Sequence, residues 1–313
     1  MFRFILHRLG MAVPTLLLIS VIVFALIRLI PGDPALLMLG DMADPQSLSD
    51  MRSSLGLDHS VVTQYLIWIK SVFSGDLGLS ISSRQPVLEL LFERFSVSAT
   101  VVLVAVLLAT LLAVPVGLLA AWKQNSAMDL GLVATATLLL SIPSFWLGLL
   151  LLYVFGIQLG WLPVIGYVGF ASDPMKAVTY VMLPIITLTL VEFGAIARMA
   201  RASTIEVLRL EYIAHARAKG LSESAVLWKH ALRNAFAPTW TLIGLILGNL
   251  LGGIAVLETV FTLPGIGRLM VDAIFSRDYP VLQGCLLLIT CIYVLVNLLV
   301  DLLYPLFDPR VKL

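Results

Sequence analysis

Six long apolar runs divide this chain, at about 9–30, 98–121, 130–155, 178–197, 239–257 and 281–303. Each is roughly 20 residues or more, enough for a helix to cross about 30 Å of hydrocarbon. A bilayer offers no water to unpaired backbone, so such runs are expected as helices. Pro115, Pro143 and Pro184 fall inside three of them. A packed membrane helix tolerates each as a kink, and the Pro143 kink is expected to shape a pore. The longest polar region, 31–95, opens on the turn-forming Pro31-Gly32-Asp33-Pro34. Semi-apolar stretches within it, such as Tyr65 to Phe73, predict short helices at the membrane surface. The pattern therefore predicts an all-α polytopic membrane protein with six transmembrane helices. Residues 1–93 hold the first helix and a long extracytoplasmic region, 94–303 the helical core and 304–313 a short tail.

Composition agrees: 60% of the 313 residues are hydrophobic and 12% charged, and mean hydropathy is +1.02. Soluble domains carry about twice that share of charge. Arg3, His7 and Arg8 precede the first run, as in a secretory signal. That run is long enough to span, and no small-residue cleavage site follows it, so it reads as an uncleaved helix. Charge asymmetry fixes the expected topology. With an internal N-terminus, segments 1–8, 122–129, 198–238 and 304–313 hold twelve Lys and Arg, and the longer outer segments hold seven. Arg28, near the outer end of the first run, is expected to snorkel. Both termini are expected in the cytoplasm. Cys285 and Cys291, six apart in one run, read as core residues rather than a disulfide or metal pair.

The densest polar passage of the membrane-embedded part is 198–238, with seven Lys and Arg: Arg198, Arg201, Arg209, Arg217, Lys219, Lys229 and Arg233. It reads as two short helices broken at Gly220, a residue that ends helices in the left-handed conformation, with Ser222 and Glu223 starting the second. Ala214, Ala218 and Leu221 share one face, with Ala216 and Gly220 close by. Small side chains there let a partner approach the backbone, so the stretch reads as a docking element.

Glu211-Tyr212-Ile213-Ala214-His215-Ala216-Arg217-Ala218-Lys219-Gly220-Leu221, with His230-Ala231-Leu232-Arg233-Asn234-Ala235 and Pro238 following, resembles the EAA loop of ABC importer permeases. The form is similar to that of permeases for dipeptides, oligopeptides, glutathione and nickel. The strings LIPGDPA, LGLD, GDLGLSISSRQPV and SIPSFW extend the resemblance, as do ETVFTLPGIGR, RDYPV, NLLVDLLY and DPR. Together they cover essentially the whole chain. The resemblance implies a type I ABC importer permease fold and a coupling helix that sits in a groove of an ATP-binding subunit. Its coupling residues would be Glu211, Ala214, Ala216, Arg217, Ala218, Lys219, Gly220 and Leu221. It further implies as partners two ATP-binding subunits, a second homologous permease, and a periplasmic or lipid-anchored solute-binding protein. ATP and Mg would be bound by the ATPase subunits, with no cofactor on this chain.

The residues themselves hold no phosphate-binding G-x-x-x-x-G-K-[ST], no H-E-x-x-H and no G-x-S-x-G, and the four histidines are scattered. No catalytic residue, metal site or nucleic-acid partner is expected. Glu192, in the fourth run, is open between facing a translocation cavity, where it would attract a cationic group, and pairing with Arg198, Arg201 or a neighbouring helix. Asn249 is open between lining a polar passage and sitting in a glycine-rich helix contact. Ser141 and Pro143 complete the translocation-path candidates. Asp301 and Asn297 read as helix–helix bonding. A nickel or glutathione importer of the same family stays open. So does a secondary transporter, although no internal repeat is visible.

Overall fold

The computed structural model describes residues 2–29, 35–36, 44–54 and 56–307. The Pro31–Pro34 turn and the Asp308-Pro309-Arg310 string lie outside the described residues. Helix α1 is Phe2–Leu29. Two short helices follow, α2 (Pro45–Ser54) and α3 (Val61–Phe73). As the semi-apolar pattern predicts, α3 lies on α1: Tyr65 and Trp68 pack on Phe24, and Ser20 Oγ and Tyr65 OH are 2.7 Å apart. Arg28 does more than snorkel. Its guanidinium donates to Gln64 Oε1 at 2.6 and 3.0 Å and covers the Phe24 ring.

Helix α4 (Val87–Trp122) begins well before the expected boundary near 98. Its fully buried Ala105, Ala109 and Ala113, followed by Gly117, form a ladder of small side chains one turn apart. This ladder admits α7 (Pro174–Leu208) to near-backbone contact; a Cβ on Gly117 would stand 2.6 Å from the Ala197 carbonyl oxygen. Lipid chains are as apolar as leucine, so close packing and interhelical bonds must hold such a pair together. The Thr189 hydroxyl supplies one bond, donating across to Ala105 O at 3.3 Å.

The third apolar run is not one kinked helix. Helix α5 (Ala127–Ser141) stops at Ile142, and α6 (Ser144–Leu151) continues in a wider π turn, Leu152–Gln158, at 97° to it. Proline forces its predecessor out of the α region. Ile142 is accordingly extended (φ −88°, ψ 125°), and Pro143 precedes the new helix instead of bending an old one.

Helix α7 runs to Leu208, eleven residues past the expected span end, carrying Arg198 and Arg201 inside it. After α8 (Glu211–Ala218), a short turn at Glu223–Ala225 and a π turn at Val226–Ala231 lead into α9 (Leu232–Gly253). The expected loop 198–238 is thus helical on both flanks. Helices α10 (Ala255–Val260) and α11 (Ile266–Phe275) form the outer connection to α12 (Tyr279–Leu303). Gly248 and Gly252 of α9 face Tyr293 and Ile289 of α12. Arg8 pairs with Asp301 at 2.7 Å, joining α1 to α12 as expected, whereas Asn297 Nδ2 donates to Tyr293 O within α12 itself, so its bond joins no second helix. Cys285 is buried as expected, but Cys291 lies exposed on α12.

Candidate functional site

The loop between α7 and α9 is built to hold α8 still. Only Arg209 and Leu210 separate α7 from α8, and Leu210 is extended, which turns the chain. Ile213 (0% exposed) and Ala216 (7%) face the bundle. Tyr212 OH accepts from Asn234 Nδ2 at 2.7 Å and donates to His230 O at 3.2 Å, tying α8 to α9 and the turn before it. Arg217 donates twice to Glu223, at 2.9 and 3.2 Å. Gly220 ends the helix at φ +77°, with its N–H on Arg217 O. Such a left-handed end favours glycine.

With those anchors taken, Ala214, Arg217, Ala218, Lys219, Gly220 and Leu221 are exposed, and Glu211 is exposed in the first turn, where its charge suits the helix dipole. Ala216 departs from the expected set. It lies three residues after Ile213 and so joins the buried face, holding the helix rather than presenting it. Just inside this surface, the Arg201 guanidinium grips both oxygens of Asp129, the bond to Oδ2 being 2.8 Å. Asp129 also accepts from Asn125 N, which pins the start of α5 to the last turns of α7. Sequence reading missed this pair, because nothing local connects residues 72 apart.

The translocation-path candidates are dispersed. Ser141 donates to Thr137 O at the end of α5, and Pro143 is exposed at the 97° break. Glu192 is half-buried on α7 and has no ion pair or hydrogen bond among the described residues. Arg201, one of the partners left open for it, is taken by Asp129. Asn249 is exposed on α9, while the neighbouring Gly248 makes the helix contact, so the two roles separate onto adjacent residues. Among the described residues, no three His, Cys, Asp or Glu side chains gather as metal ligands.

At the outer end, Glu258 of α10 is buried and accepts from Ser98 Oγ (2.5 Å) and Arg268 N (2.8 Å). Ser98 Oγ in turn accepts from Ile266 N. Burial pushes the Glu258 carboxyl above the usual carboxylate range despite these donors. Asp278 caps α12 and accepts from Ser80 Oγ (2.6 Å) and from Ser82 Oγ and N (2.8 and 3.1 Å). Burial opposes its ionisation, but the hydrogen bonds prevail and hold its carboxyl below the usual range.

Residues 113–313 match the model of the "Binding-protein-dependent transport system inner membrane component", and residues 1–104 match that of the N-terminal part of such membrane components. The chain belongs to this family. The family is one of transport permeases of the inner membrane, not of enzymes. Among its members, the dipeptide transport system permease protein DppB of Escherichia coli K12 is 40% identical, over 100% of this chain and 99% of that one. DppB of Alkalihalophilus pseudofirmus is 38% identical over the full length of both. A protein of Brucella abortus named as a peptide transport system permease is 41% identical, over 98% of each. An inward-facing structure of the MetNI methionine ABC transporter matches with a TM-score of 0.59 and 19% identity, covering 69% of this chain and 95% of that one. At that identity the likeness establishes the fold: a type I importer permease.

Proposed function

We propose that this chain is one of two permease subunits of an ATP-driven importer for short peptides. In this reading two ATP-binding subunits grip the exposed face of α8, and a separate solute-binding protein delivers substrate to the outer side. ATP and Mg act on those partner subunits, and both termini of this chain lie in the cytoplasm. The observation that carries the reading is the anchored α8, with its alanine-rich outer face and only two residues between it and α7. Because Tyr212, Arg217 and the buried Ile213 fix α8 to the bundle, a force on it moves α7 and α9 as rigid bodies. Switching between inward- and outward-facing states requires a partner that binds the two states unequally, and α8 is where that difference acts. Full-length similarity to dipeptide permeases supports peptides over nickel or glutathione as the solute.

The test is uptake of a labelled dipeptide into proteoliposomes holding both permeases, both ATPases and the binding protein. Uptake should require ATP and fall to background in Ala214→Glu with Ala218→Glu. Uptake that persists without the ATPase subunits would sink the proposal and favour a secondary transporter.

A further inference from the structure

At the α8 end of the bundle, a groove of about 530 Å³ opens between α4, the start of α9 and the turn Tyr304–Leu306. Its walls are apolar: Val114 and Pro115 on one side, Phe236 and Phe307 on the other. Phe236 and Phe307 stack edge to face with centroids 4.9 Å apart, so the wall is a built surface. Beside the groove, α4 carries an exposed stripe of Leu103, Leu107, Leu108, Leu111 and Leu112, the chemistry of a surface turned to acyl chains.

The mouth differs from the walls. Arg233 is the one charged residue lining the groove. It is exposed and makes no ion pair or hydrogen bond among the described residues. Trp228, 42% exposed, lines the groove beside it, and its indole N–H has no partner there either. Lys229, also exposed, adds positive charge nearby. Deeper in, Thr110 Oγ1 is buried without a hydrogen-bond partner. Counted back from Trp122 at the helix end, Pro115 lies about 10 Å along α4, within a half-bilayer of about 15 Å of hydrocarbon.

We propose that this groove binds an anionic phospholipid. Its acyl chain lies between Pro115, Phe236 and Phe307, and its phosphate is held at the mouth by the Arg233 guanidinium and the Trp228 N–H. Free arginine and tryptophan donors at the membrane boundary are the groups that hold lipid phosphates, and basic pockets between spans select anionic headgroups. A lipid offers an anion to the exposed cation and an acyl chain to the apolar slot at once. The inference goes beyond the transport reading and needs no transport activity. A bound lipid would bridge α4 and α9 next to α8, so membrane composition would bias the same helices that the ATPases move.

The experiment uses the assembled importer in nanodiscs carrying trace phosphatidylglycerol or phosphatidylcholine with a photoactivatable acyl chain. Labelled peptides are mapped by mass spectrometry. Phosphatidylglycerol should label groove residues of α4 and α9 several-fold more than phosphatidylcholine does. Arg233→Gln should erase that preference, Arg233→Lys should keep most of it, and excess inorganic phosphate should leave it unchanged. Equal labelling by the two lipids in the unaltered protein would overturn the proposal without recourse to any variant. Competition by inorganic phosphate would make it a free-anion site instead. Cross-links from groove residues to the second permease, with no lipid labelling, would assign the groove to a subunit interface.

Discussion

Arg201 and Asp129 form a two-pronged ion pair in which Asp129 is almost wholly enclosed (2% exposed side chain) and Arg201 is 21% exposed. The pair helps to fix α5 to α7, alongside the close approach of Gly194 to Ala136. Breaking a buried pair from one side strands the other charge, at a cost of about 3–5 kcal/mol. Asp129→Asn should therefore lower the thermal midpoint of the purified protein sharply. The double variant Asp129→Asn with Arg201→Gln should be less damaged than the sum of the single changes. Strict additivity in detergent melts would show that the pair contributes nothing.

Ala214, Ala216 and Ala218 look alike in sequence but should part company on mutation. Ala214→Glu and Ala218→Glu alter exposed positions, so stability should shift by less than about 0.5 kcal/mol, while co-purification of the ATP-binding subunits is lost. Ala216→Leu overpacks a buried contact and should cost about 1–3 kcal/mol. Pull-down and melting of all three variants separates docking from folding.

Glu192 has no ion pair or hydrogen bond among the described residues, so Glu192→Gln should leave stability within about 0.5 kcal/mol. If its carboxylate meets the amino group of a peptide in transit, losing one charged hydrogen bond of about 1.5–3 kcal/mol should lower uptake roughly tenfold or more. Uptake of an N-acetylated peptide should change little. Equal losses for both substrates would remove Glu192 from the pathway.

The two outer carboxylates should respond to pH with opposite signs. Asp278 has a lowered folded pKa, so its stabilisation is present above the unfolded value near 4 and is lost as pH falls through the folded one. Glu258 has a raised folded pKa; its protonated form is favoured by folding, and stability falls as pH rises from the unfolded value through the folded one. Melts of Asp278→Asn and Glu258→Gln against the unaltered protein across pH should give difference curves of opposite slope. Parallel curves would contradict the assignment.

Three glycines offer an internal control. A Cβ on Gly117 meets Ala197 O at 2.6 Å and Ala200 Cβ at 2.9 Å, so Gly117→Ala should cost about 1–3 kcal/mol by forcing α4 from α7. Gly220→Ala meets nothing and should cost only about 1–2 kcal/mol of left-handed backbone. Gly131→Ala, in open space on α5, should be neutral or stabilising by up to about 1 kcal/mol. Thermal melts rank the three.

Much of this was legible in the sequence because membrane burial writes itself in runs. The spans, the surface helix around Tyr65 and Trp68, the break at Gly220 and the cap at Ser222 follow from local chemistry. Helix ends did not follow from hydropathy, since α7 carries Arg198, Arg201 and Glu206 out of the apolar run without breaking, and stops only at Arg209. Pro143 was ambiguous in principle: a proline both kinks a helix and starts one, and the extended Ile142 before it decides the matter. The small residues of α8 were readable as a set, but Ala216 shows that composition alone does not say which of them point outward. The Asp129–Arg201, Tyr212–Asn234 and Ser98–Glu258 links join distant segments, and no local pattern announces them.

One consequence follows from the unbroken length of α7. Its 35 residues make a rod about 52 Å long. With α8 fastened at its inner end, a tilt of roughly 5° there would carry the far end through about 4.5 Å. That exceeds the width of a water molecule, so on the proposed coupling the helix would work as a lever arm pivoting at its α8 end. Motions too small to disturb the packing of α4 on α7 would still displace the far ends of both helices, which swing together on the alanine ladder that joins them.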